Sequence, residues 1–213
     1  MKRMLLFVFI LALLLTACEP SQKITGTWVN REKFPDKPYK SVFILTLVSN
    51  PKTRLYLENE LADLLNSRGI KAVLSVDVFP PNIIADGLIT REQMIQAVKN
   101  QGCEGVLTIA LLDVKTEARY QQTSAYYYPP NYGMYTDFYH YYEFYHPVVY
   151  TQGYYITDKT YFIENNFFDV ASEQLMYSIQ SSAYSPNSLE SFYKQYSSMI
   201  MYELKKEKLL RKP

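Results

Sequence analysis

The chain has 213 residues and nearly balanced charge, with 22 Lys and Arg against 21 Asp and Glu and a formal net charge of +1. That balance gives no sign of nucleic-acid binding, and two cysteines cannot supply a disulfide framework. The length suits one domain with a real core.

Residues 1–17 have the form of a secretory signal peptide: Lys2 and Arg3, an apolar run from Leu5 to Leu15, then small residues. The apolar run is shorter than the roughly 20 residues a membrane span needs. Leu15-Thr16-Ala17-Cys18 resembles the lipobox of bacterial lipoproteins. That resemblance implies cleavage between Ala17 and Cys18, a diacylglycerol on the Cys18 sulfur and a fatty acyl group such as palmitate on its amine. Two or more acyl chains anchor durably. Glu19 stands where the inner-membrane retention signal of enteric bacteria has aspartate, so the resemblance implies the outer membrane, with the protein facing the periplasm. Removing 17 of 213 residues leaves 196. Losing Lys2 and Arg3 takes the charge to about −1. Cys103 is then without an intrachain partner and is expected as a small buried thiol.

Residues 18–40 are polar, with three prolines and no sustained period, which suits a lipidated tether. Within it Trp28 is expected to fold back and cap the domain edge, because an indole on a free linker is costly. Residues 41–209 are expected to form a single α/β domain, followed by a basic tail at 210–213. Ser41 to Ser49 is short, apolar and β-rich, a buried strand. Asn50 and Pro51 open a helix to Arg68 on Leu57, Leu61, Leu64 and Leu65, with Arg54 and Glu58 assigned to the polar faces and Gly69 as its stop. Ile70 to Val78 is expected as a second strand, ended by Pro80 and Pro81. Thr90 and Gln93 form a capping box for a helix closed by Gly102. Glu104 to Ala118 is a long third strand. Tyr154 to Asp169 and Gln174 to Ser182 form a hairpin, and Pro186 with Asn187 opens a last helix on Leu189, Phe192, Tyr196, Met199, Ile200 and Leu204. The fold class is α/β (α+β): one mixed β-sheet covered by helices, in the order β-α-β-α-β-(Tyr-rich insertion)-β-β-α.

No catalytic constellation emerges. No Ser or Cys stands in a nucleophile elbow. Carboxylate pairs such as Glu58 with Glu60 or Asp113 with Glu117 are explained by solvated faces. His140 and His146, with Asp137 and Glu143 nearby, match no familiar metal-ligand spacing. The chain is therefore expected to be no enzyme and to carry no metal and no cofactor.

The insertion at 120–153 sets the chain apart. The stretch from Tyr126 to Tyr155, which covers most of it, holds twelve of 21 tyrosines and no Lys or Arg, so a groove for single-stranded nucleic acid is excluded. Tyr126, Tyr127, Tyr128, Tyr132, Tyr135, Tyr139, Tyr141, Tyr142 and Tyr145 are the candidate binding residues, since tyrosine offers apolar area and a hydroxyl at low entropic cost. Four readings stand open: rings packed on one another in a structural hairpin extension, recognition of an envelope protein, binding of a glycan such as peptidoglycan or lipopolysaccharide sugar, and insertion at the membrane interface.

The lipobox with the "TWVN" element, the block "KSVFILTLVSNPKTRLYLENELADLLNSRGIKAV", and a long strand broken by a Tyr- and Pro-rich loop together resemble a family of bacterial lipoproteins of unknown function. More distantly the domain is similar to the α/β domain of the curli-secretion lipoprotein, the penicillin-binding-protein activator lipoproteins and the amino-terminal domain of the TolB translocation protein. The resemblance implies a non-catalytic binding or assembly role in the envelope, with a structural lipoprotein or a glycan binder as the alternative. It transfers no catalytic residue.

Overall fold

A computed structural model describes residues 22–79, 84, 87–121, 154–184 and 188–210. Ala17, Cys18 and the candidate tyrosines Tyr126, Tyr127, Tyr128, Tyr132, Tyr135, Tyr139, Tyr141, Tyr142 and Tyr145 lie outside these residues, as do His140 and His146. In chain order the elements are β1 (Gln22–Val29), β2 (Ser41–Leu47), α1 (Pro51–Asn66), β3 (Lys71–Leu74), α2 (Ser75–Val78), α3 (Arg91–Asn100), β4 (Gly105–Gln121), β5 (Tyr154–Asp169), β6 (Leu175–Tyr184) and α4 (Leu189–Lys206).

The strands form one six-stranded sheet in the order β1-β6-β5-β4-β2-β3. β2 is parallel to both β3 and β4, whereas β6 is antiparallel to β5 and β1. Val170 N–H donates to the Glu104 carbonyl and the Thr108 hydroxyl to the Asn166 carbonyl. Numbers rise along β4 as they fall along β5, so this pair is antiparallel too. The sheet is thus mixed and helix-covered, as its residue pattern implies.

Period two on β2 builds both cores. Val42 and Ile44 join Leu57, Leu61 and Leu65 of α1 and Tyr196, Ile200 and Leu204 of α4 in the larger cluster. Phe43 and Leu45 point the other way, to Val98 of α3, Cys103 and Phe79. The helix punctuation matches the residues that encode it. The Asn50 side chain accepts from the N–H groups of Lys52 and Thr53 at 2.9 and 3.3 Å, with Pro51 entering the first turn. Thr90 and Gln93 make their reciprocal capping bonds at 2.9 and 3.2 Å. Gly69 and Gly102 end α1 and α3 with φ of 70° and 65°, a left-handed backbone that favours glycine.

Three expectations differ from the structure. Residues 22–29, placed in the tether, form β1, because their backbone completes the free edge of β6. Trp28 does fold back onto the domain edge, within this edge strand opposite Ser178, but its side chain stays 51% exposed. The strand foreseen for Ile70 to Val78 stops at Leu74 and continues as the single-turn α2. Finally, α4 starts from the Ser188 cap with Leu189 exposed, and Leu210, assigned to the basic tail, is buried with Leu209 while Tyr39 N–H donates to the Leu209 carbonyl at 2.8 Å.

Two polar side-chain pairs are buried in the larger core. The Asn165 amide and the Tyr196 hydroxyl bond at 2.8 and 2.9 Å, and burial pushes the Tyr196 phenol up to about 12. The Tyr177 hydroxyl donates to Glu203 at 3.0 Å; burial and that carboxylate raise its pKa well above the ordinary phenol value.

The chain divides into two compact units, Met1–Val114 with Thr160–Pro213, and Lys115–Lys159. The second takes in the last residues of β4 and the first of β5. Within it Lys115 pairs with Glu117, which raises the Lys115 pKa, and Arg119 Nε pairs with Asp158 at 3.2 Å.

Gly105 is required where β4 passes Phe167: a Cβ there would fall inside the contact distance of the buried ring. Gly105→Ala is expected to cost about 1–3 kcal/mol in denaturant unfolding, and adding Phe167→Leu to recover part of it.

Candidate functional site

β3 pairs with β2 as far as Leu74 opposite Ile44, and there it turns away. β2 runs on beside β4 to Leu47, so its last N–H groups on the vacated side need other partners. Glu58 provides one. Its side chain projects from α1 and is 0% exposed; Oε1 accepts from Thr46 N–H at 3.0 Å and from the Ser75 hydroxyl at 2.6 Å, while Oε2 accepts from Val76 N–H at 3.0 Å. A carboxylate on the first N–H groups of α2 also explains why Ser75–Val78 coils where its apolar residues favour strand.

One turn earlier on the same helix, Arg54 is 4% exposed. Its Nε reaches Glu58 Oε1 at 3.3 Å and its Nη2 donates to Ser75 Oγ at 2.7 Å. The pair is therefore buried, mutually neutralising and held by neutral donors, the condition under which a buried ion pair is tolerated. Arg54 and Glu58 were assigned to a solvated face of α1; the structure places both inside.

The space that β3 vacates is a cleft of about 440 Å³. Thr46, Leu47, Val48 and Ser49 at the end of β2, Pro51 and Arg54 of α1, Val76 of α2, and Leu111 of β4 line it, with Ile84. It opens outside the carboxyl ends of the parallel strands, the position where open α/β sheets bind ligands, and it lies in the usual size range for small-molecule sites. Thr46 is 1% exposed and its hydroxyl has no hydrogen-bond partner among the described residues. The first-turn N–H groups of α1 are already occupied: those of Lys52 and Thr53 by the Asn50 side chain, that of Arg54 by the Asn50 carbonyl, and Pro51 has none.

Other residues weighed from sequence are not brought together. Cys103 is 6% exposed, and burial raises its thiol pKa against the opposing effect of Lys71. Glu60 is not in the Glu58 network. Asp169 packs away from the cleft and is held below the usual carboxylate range: desolvation raises it, but bonds from Ser172 and from the Tyr39 hydroxyl at 3.1 Å outweigh that.

No protein-family model matches the chain, and no curated protein matches it. Among solved structures, the chain is similar to the PelC dodecamer from Paraburkholderia phytofirmans, at 13% identity and a TM-score of 0.44 over 90% of this chain and 99% of that one. It is also similar to lipoprotein GNA1162 from Neisseria meningitidis, at 12% identity and a TM-score of 0.41 over 78% of this chain and 98% of that one.

Glu58→Ala strands a buried guanidinium and two backbone N–H groups, so it is expected to destabilise the protein by about 3–5 kcal/mol in denaturant unfolding. Adding Arg54→Met removes the stranded charge and should restore part of the loss, giving a non-additive double-mutant cycle. Strict additivity would show that the two side chains do not act as a pair.

Proposed function

We propose that this protein is a lipid-anchored outer-membrane lipoprotein that faces the periplasm and serves as a non-catalytic binding or assembly factor in the bacterial cell envelope. The observation that carries this reading is Leu15-Thr16-Ala17-Cys18 directly after a basic, apolar leader. Acyl groups on Cys18 anchor the chain.

Two features support binding over catalysis. The buried charges of the described residues, Arg54, Glu58 and Glu203, serve as hydrogen-bonded fixtures of the fold. Between β4 and β5, strands of 17 and 16 residues, the sequence inserts a stretch dense in tyrosine and free of Lys and Arg. Long strands give a loop a rigid base, and aromatic anchors dominate recognition surfaces. In this reading Tyr126, Tyr127, Tyr128, Tyr132, Tyr135, Tyr139, Tyr141, Tyr142 and Tyr145 contact an envelope protein or glycan.

Metabolic labelling tests the anchor. The wild-type protein should incorporate labelled palmitate and fractionate with outer membranes, and Cys18→Ser should lose the label and become soluble; an unlabelled wild type contradicts the proposal. Crosslinking from probes in the insertion tests the surface. Changing several of the candidate tyrosines to serine should abolish a specific partner adduct while leaving circular dichroism unchanged, whereas an unchanged adduct would exclude these residues from the contact.

A further inference from the structure

We propose that the cleft at the carboxyl ends of β2, β3 and β4 is a binding site for a small aliphatic carboxylate, whose oxygens meet Arg54 Nη1 and Thr46 Oγ1 and whose apolar body lies against Leu47, Val48, Val76 and Leu111.

Three features of the cleft lead to this ligand class. The first is a built polar end. Thr46 is 1% exposed yet its hydroxyl has no partner, a costly state for a buried polar group unless a ligand or water completes it. Arg54, which also lines the cleft, uses Nε and Nη2 on Glu58 and Ser75, and among the described residues Nη1 makes no hydrogen bond. A guanidinium edge and a hydroxyl lining one cleft offer donors to two oxygens of one planar group.

The second feature is charge. Glu58 offsets the Arg54 cation, and the amino end of α1 adds a partial positive charge with no acidic residue in its first turn. With the cation offset, a partial positive charge remains, which suits a singly charged anion better than a dianion. A phosphate dianion would need further donors, and the first-turn amides that usually supply them are already bonded. The third is the rest of the wall, which is aliphatic through Leu47, Val48, Pro51, Val76 and Leu111. A hydrophilic anion would leave that surface unused, whereas an alkyl chain buries it.

This site is independent of the lipid anchor and of the tyrosine insertion. The test is calorimetric titration of the full chain carrying Cys18→Ser, so that no acyl chain is attached, with sodium hexanoate as probe. Hexanoate should bind saturably, and hexanol, with the same body and no charge, at least about tenfold more weakly, the loss of one charge-assisted hydrogen bond. Thr46→Val keeps the shape of the side chain and removes the orphan hydroxyl. It should weaken hexanoate by about tenfold while the thermal midpoint stays the same or rises, since the hydroxyl has no partner in the free protein. A merely structural Thr46 would leave the hexanoate affinity unmoved. No saturable binding at millimolar probe, equal affinity for hexanol, equal affinity for inorganic phosphate, or an unchanged Thr46→Val titration would each overturn the proposal.

Discussion

The architecture of the first unit depends on a buried carboxylate. Glu58 takes the N–H of Thr46 from β2 and the N–H of Val76 from α2, and it holds the Ser75 hydroxyl between them. It therefore does for the end of β2 what another strand residue would otherwise do. A neutral side chain could not satisfy these donors and hold Arg54 as well. Because β3 is released after four residues, a cleft opens over the ends of the parallel strands. The same carboxylate that closes the hydrogen-bond ladder thus also bonds residues that wall a cleft of about 440 Å³.

The overall pattern was legible because apolar periodicity and helix punctuation agree from Ser41 to Gly105. Asn50 before Pro51, the Thr90 and Gln93 box, and Gly69 and Gly102 are local signals whose meaning does not depend on distant partners. Where a distant partner decides, the residues alone mislead. Nothing in "QKITGTWV" advertises a strand until the free edge of β6 is beside it. "VLSVDV" has strand composition, and a carboxylate 17 residues earlier turns its second half into a helix. Leu210 looks like part of a basic tail, but it pairs with Tyr39 and is buried in the core.

The cleft is hidden in the sequence for the same reason. Arg54 and Glu58 stand four apart on α1, a spacing that usually means an exposed pair, and their charges suggested the solvent side. One signal was present. Both lie within a turn of the stripe formed by Leu57 and Leu61, so the helix face that meets the sheet includes them at its amino end. The Tyr-rich insertion is the reverse case: conspicuous in sequence, with its function set by a partner that composition can restrict but not identify. Its lack of Lys and Arg removes nucleic acid, and its rings leave proteins, sugars and membrane interfaces as the surfaces such a segment suits.

The role of Glu58 is most directly tested by amide hydrogen exchange resolved at single residues. The Thr46 and Val76 amides should exchange slowly in the wild type, and in Glu58→Ala both should lose protection together and by more than Val42 and Ile44, which are bonded within the sheet and should fall only with the global loss of stability. If Thr46 and Val76 remain protected in the variant, something other than this carboxylate closes the end of β2.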